Sequence, residues 1–65
     1  MCDINAYIVN NGKEEIILEN VDQVVSKDHE INLTNIFGEE RTFKADLIYY
    51  NNSEKKMVFE PYLNI

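Results

Sequence analysis

The chain has 65 residues, 45% of them hydrophobic, which makes it one small folding domain rather than a disordered segment and leaves little room for a large catalytic cleft. Acids outnumber bases by 12 to 6, for a formal charge of −6. Such a surface repels phosphate, so binding that tracks the backbone of DNA or RNA is disfavoured.

The pattern predicts strands throughout. In the segment 3–10, Ile4, Ala6 and Ile8 alternate onto one face. Asn11-Gly12 follows, a pair suited to a two-residue hairpin in which both turn positions need positive φ. Residues 13–19 are the returning strand, with Ile16 and Leu18 expected inward and Ile17 partly exposed. Residues 20–26 carry Val21, Val24 and Val25 at helical spacing, but β-branched side chains favour extended chain. They are read as a further strand with a bend near Asn20-Val21. The polar stretch 27–30 is a turn. From Glu30 to Phe37 a strand points Ile31 and Leu33 inward, and a register change near Asn35 keeps Ile36 on the apolar side. Gly38-Glu39-Glu40 is the next turn. In the strand 41–50, Phe43, Ala45, Leu47 and Tyr49 share a face. Residues 51–54 turn again, 55–60 form the last strand, and Pro61 ends it because proline cannot donate to a ladder. The tail 62–65 holds apolar residues able to dock. The expected fold is all-β: a single domain over residues 1–65, a small barrel or sandwich of five to six short antiparallel strands, SH3-like or Sm-like.

Catalytic signatures are missing. Gly12 and Gly38 are the only glycines and each has a turn to make, so there is no phosphate-cradling loop. No Cys-x-x-Cys and no pair of histidines at metal spacing occurs. Ser26 and Ser53 lack the context of an activated nucleophile. Glu14-Glu15 and Glu39-Glu40 are neighbours that a strand would point to opposite faces. An enzyme is the least favoured class. His29, flanked by Asp28 and Glu30, reads as an exposed turn residue, with an accessory metal ligand or a pH-sensitive charge as the alternative. The seven aromatics read as core and interface; a base-stacking platform would need Lys13, Lys44, Lys55 and Lys56 to converge on one face.

Nothing approaches the roughly 18 apolar residues of a membrane span. No signal peptide is visible, and the chain is read as cytoplasmic. Cys2, the only cysteine, excludes an internal disulfide. Its thiolate is a soft metal ligand. The Met1 amine, the Cys2 amide nitrogen and the Cys2 sulfur would close two fused five-membered chelate rings in one plane, an arrangement suited to Ni(II) or Cu(II) and not to tetrahedral Zn(II). Two chains meeting at their starts would complete the plane with a second thiolate. Without Met1, Cys2 would offer its own amine and sulfur. The alternative is a small apolar side chain tucked into the first strand.

The chain resembles the CooT family of small nickel-binding proteins. The resemblance rests on Met1-Cys2, Asn20-Val21, the run Ile31-x-Leu33-x-x-Ile36-Phe37-Gly38-Glu39, Ala45, and Lys56-Met57-Val58-Phe59. It spans essentially the whole length, although this chain is more acidic, richer in Asn and divergent in its first strand. The resemblance implies a small all-β fold, a homodimer, and one Ni(II) held between subunits through Cys2, with Met1 contributing backbone donors. It also implies nickel delivery during maturation of carbon monoxide dehydrogenase, although members occur where that enzyme is not the evident client. Members have further been labelled as RNA-binding, a label that the acidic balance here argues against. The expectation is a nickel metallochaperone or nickel-responsive accessory protein; the alternative is a metal-free nucleic-acid-binding or protein-interaction module.

Overall fold

The computed structural model describes residues 3–63. Five strands follow one another: β1 (Ile4–Asn10), β2 (Lys13–Lys27), β3 (Glu30–Asn35), β4 (Glu40–Asn51) and β5 (Lys56–Pro61). Each pairs antiparallel with the next, and β1 then pairs with β5 to close a barrel. The all-β expectation holds. The closing pair is parallel, with Asn5 opposite Lys56 and Ile8 opposite Phe59. No helix of the described residues is long and apolar enough to cross a membrane.

Local chemistry explains the turns. Asn11 (φ 54°) and Gly12 (φ 77°) both take the left-handed conformation that a type I′ hairpin demands. Asp28 (φ 51°) and His29 (φ 64°) do the same between β2 and β3 without a glycine, at the cost that left-handed backbone imposes on side-chain-bearing residues.

The stretches 13–19 and 20–26, expected as separate strands, form the single strand β2. Its bend lies at Asn20, whose φ is 57°. Before the bend β2 pairs with β1, and after it with β3; Val21 sits at the changeover, opposite both Ile4 and Asn35.

The core consists of Ala6, Leu18, Val21, Ile31, Leu33, Ala45, Met57 and Phe59. Four expected inward positions differ. Ile16 is exposed while Ile17 packs against the core, because register shifts around Ala6 change which β2 residue faces in. Ile36 is not on the apolar side: β3 ends at Asn35, and Ile36 is 50% exposed in the following turn. Leu47 and Tyr49 do not continue the buried face of Phe43 and Ala45. A bulge at Ile48 interrupts the pairing of β4 with β5, and Leu47 is left 51% exposed. In the tail, Tyr62 docks and Leu63 does not: the Tyr62 amide donates to the Lys44 carbonyl at 3.0 Å, whereas Leu63 is exposed.

Candidate functional site

The residues singled out as metal ligands, Met1 and Cys2, lie outside the described residues. What surrounds the start of β1 is described. Asp3, the residue after Cys2, is exposed and pairs with Lys55 at 3.5 Å. The Asn5 amide donates to the Lys55 carbonyl at 3.0 Å, which ties the start of β1 to the turn entering β5. On the other side, the Asn5 side-chain oxygen accepts from the Asn20 amide at 3.2 Å, and the Asn20 carbonyl accepts from the Ile36 amide at 3.0 Å. The beginning of β1 therefore stands at one end of the barrel, between the Ile36–Glu39 loop and the Asn52–Lys55 turn.

The loop is rigidly built. Asn35 is only 4% exposed. Its side-chain oxygen accepts from the amides of Phe37 (3.1 Å) and Glu39 (2.8 Å), and its side-chain nitrogen donates to the Glu39 carboxylate at 2.7 Å. Its own amide donates to the Glu39 carbonyl, and its carbonyl accepts from the Gly38 amide. Gly38 takes φ 82°, a conformation that favours glycine. Every polar atom of a buried amide is thus satisfied. The consequence is on the outside: Phe37, at the loop's tip, is 71% exposed.

The turn on the other flank is held by the Asn51 side-chain oxygen, which accepts from the Glu54 amide at 3.0 Å. The Tyr49 hydroxyl donates to the Glu54 carboxylate at 2.7 Å, and this bond to an anion raises the Tyr49 pKa above the ordinary phenol value. Lys56 is ion-paired with Glu14, which raises its pKa in turn, and its ammonium lies 5.3 Å from the centroid of the Tyr7 ring.

His29 is the exposed turn residue expected. Its Nδ1 lies 2.8 Å from the Asp46 carboxylate, and its ring stacks on Tyr62 with centroids 4.0 Å apart. This contact fastens the segment after β5 across β3 and β4. Among the described residues no group of three or more His, Cys, Asp or Glu is arranged to hold a metal ion. Lys55 and Lys56 each meet an acid, Asp3 and Glu14, so their charges are locally balanced. The sequence carries no clear sign of the Asn35 network, since Asn is ordinarily a surface residue; the Gly38 turn three residues later is the one available hint.

Comparison with known proteins adds two findings. The family model described as the CO dehydrogenase accessory protein CooT matches residues 1–60. A crystal structure bearing the name CooT, from Carboxydothermus hydrogenoformans, superposes with a TM-score of 0.85 at 33% identity, covering 94% of this chain and 98% of the other. No curated protein matches the chain.

Proposed function

Since this chain belongs to the CooT family, we propose that it is a cytoplasmic accessory protein in the maturation of CO dehydrogenase or another nickel enzyme, carrying one Ni(II) as cargo between two copies of itself. Cys2 is the side-chain ligand and Met1 supplies backbone donors. The carrying observation is at the start of β1. Asp3, one residue after Cys2 in sequence, is exposed at the barrel end and pairs with Lys55 at 3.5 Å. On this reading Cys2, the residue that precedes Asp3 in sequence, is reached by a second chain at this end.

The donor chemistry fits the ion. An amine, an amide nitrogen and a thiolate in adjacent five-membered rings favour planar coordination, which suits Ni(II). A second thiolate from another copy supplies the remaining position. A terminal site with few groups orienting its ligands exchanges its ion faster than a closed four-ligand cage, as delivery to a client requires. The chain's own contribution is to hold the two sulfurs at a surface, and no acid–base or covalent step is needed.

Calorimetric titration of Ni(II) into the wild-type protein and into Cys2→Ser tests the reading. The expected result is one ion per pair of wild-type chains and loss of that binding in Cys2→Ser. Equal binding by both proteins removes Cys2 from the mechanism, and one ion per chain without dimerisation removes the shared site.

A further inference from the structure

The barrel closes, but its two long strands leave stretches paired on one side only. β2 and β4 each change partner along their length. In the described ladders residues 13–18 pair with β1, residues 23–27 and 40–43 with β3, and residues 46–51 with β5. On the β3 side of β4 the last bond is from the Ala45 amide to the His29 carbonyl, at 2.8 Å. Among the described residues no strand lies beyond it there, so alternate residues of 46–51 direct backbone N–H and C=O groups outward.

An open apolar edge templates pairing with another chain, and proteins ordinarily blunt such edges with charge, proline or a bulge. Three of the four stretches follow that rule with charge: Lys13, Glu14 and Glu15 in the first, Lys27 in the second, Glu40 and Arg41 in the third. The fourth does not. Asp46 starts it, with its carboxylate 2.8 Å from His29. Then come Leu47, Ile48, Tyr49 and Tyr50, all between 42% and 52% exposed. The bulge at Ile48 is the one protective device, and it adds no charge. This edge is also held in shape. The Tyr49 hydroxyl donates to the Glu54 carboxylate, and the Asn51 side-chain oxygen accepts from the Glu54 amide. A strand laid against it therefore meets a preformed surface and orders little of the barrel on binding.

We propose that the free edge of β4 over residues 47–51 docks an extended segment of another protein, which adds a strand antiparallel to β4 and carries basic residues at its C-terminal end. Added strands gain affinity from main-chain hydrogen bonds and selectivity from alternate side chains, and antiparallel pairing is the slightly stronger kind. Charge chooses the occupant. Around the Asp46 end stand Asp28 before His29, Glu30 opposite Lys44, and Glu60 opposite Asp46. Acids outweigh His29 and Lys44 there, so the C-terminal end of an antiparallel newcomer is best basic. A second copy fits poorly. Antiparallel pairing of two such edges sets this acidic end against the partner's Glu54, between chains that each carry −6. The edge faces away from β5, whereas β1 lies on the other side of β5, and the proposal does not rest on the nickel reading.

Fluorescence anisotropy with a labelled synthetic peptide tests this: valine and threonine in alternation, with a pair of arginines at the C-terminus. Saturable binding to the full-length protein is expected. Ile48→Lys puts a charge on the edge and weakens binding by about tenfold or more, with an unchanged circular dichroism spectrum. Asp28→Asn, which keeps a residue tolerant of the left-handed turn, weakens it severalfold at low salt and much less at high salt. Val25→Ser, on the charged edge of β2, and Cys2→Ser leave it unchanged. Two further peptides, N-methylated at one or the other set of alternate residues, need no change to the protein: only one set faces β4, so only one peptide loses binding. Equal binding by the two methylated peptides shows that no ladder forms and overturns the proposal, as does absence of binding to the unmethylated peptide. Stronger binding when the arginines stand at the N-terminus overturns the orientation. Self-association of the protein alone that Ile48→Lys abolishes assigns the edge to a second copy and overturns the choice of partner.

Discussion

Asn35 shows how one buried polar residue shapes a surface. Its side-chain oxygen accepts from two backbone N–H groups of the turn, those of Phe37 and Glu39, and its side-chain nitrogen donates to the Glu39 carboxylate. The net worth of such bonds is modest, but leaving the partners unsatisfied is costly. Asn35→Ala is therefore expected to destabilise the fold by about 1–3 kcal/mol in urea unfolding, and to raise amide exchange at Phe37 and Glu39 more than in the core strands. Unchanged exchange at those two amides would mean that the backbone holds the loop without the side chain. The sequence could place Gly38 in a turn, because glycine preference is local. It could not show that Asn35 is interior, because burial of an amide depends on partners four residues away and on β2 lying alongside.

At the scale of elements, legibility followed periodicity. Where one strand pairs in one register, alternation identified the core correctly, as for Ile31 and Leu33 in β3 and Ala45 in β4. It failed where a strand changes register or bulges. The Ile48 bulge put Tyr49 opposite Val58 and off the face of Phe59, Leu47 is exposed although it still lies opposite Phe59, and the shifts near Ala6 exchanged Ile16 for Ile17. A one-residue slip inverts a face, and nothing in a lone strand's composition records it. Val58 is a related case. It lies between the core residues Met57 and Phe59, so it points to the opposite face, yet it is buried, with Tyr7 and Tyr49 at its flanking register positions. The bend in β2 was legible as a place and not as a device. Asn20 takes φ 57° and uses both backbone groups there, its amide to Asn5 and its carbonyl to Ile36. Since left-handed backbone penalises β-branched residues most, Asn20→Val is expected to cost about 1–3 kcal/mol, while Asn20→Gly stays near wild type in thermal unfolding. Equal losses in both variants would locate the effect in the side chain and not in the bend.

At the scale of the whole molecule, a five-stranded barrel of this size invites comparison with small nucleic-acid-binding barrels, and charge argues against it. A barrel that follows a phosphate backbone needs several uncommitted cations on one face, and each phosphate neutralised steepens the dependence on salt. Here Lys55 meets Asp3, Lys56 meets Glu14, and Lys44 stands opposite Glu30 in the β3–β4 ladder. Binding a phosphate at Lys55 or Lys56 would first mean breaking an ion pair, in a field set by 12 acids against 6 bases. Exposed aromatics alone do not compensate, because stacking adds to an electrostatic attraction that holds the strand in place. In a gel-shift titration at low salt with single-stranded and duplex RNA, the protein is expected to leave the migration unchanged up to several hundred micromolar, past the weak non-specific affinity of ordinary basic domains, about 1–100 µM. Replacing Asp3 and Glu14 with Asn and Gln would free two lysines without adding a cation. A salt-sensitive shift in that variant but not in the wild type would show that the acids are what silence the face, whereas a salt-sensitive shift already present in the wild type would return the nucleic-acid reading to first place.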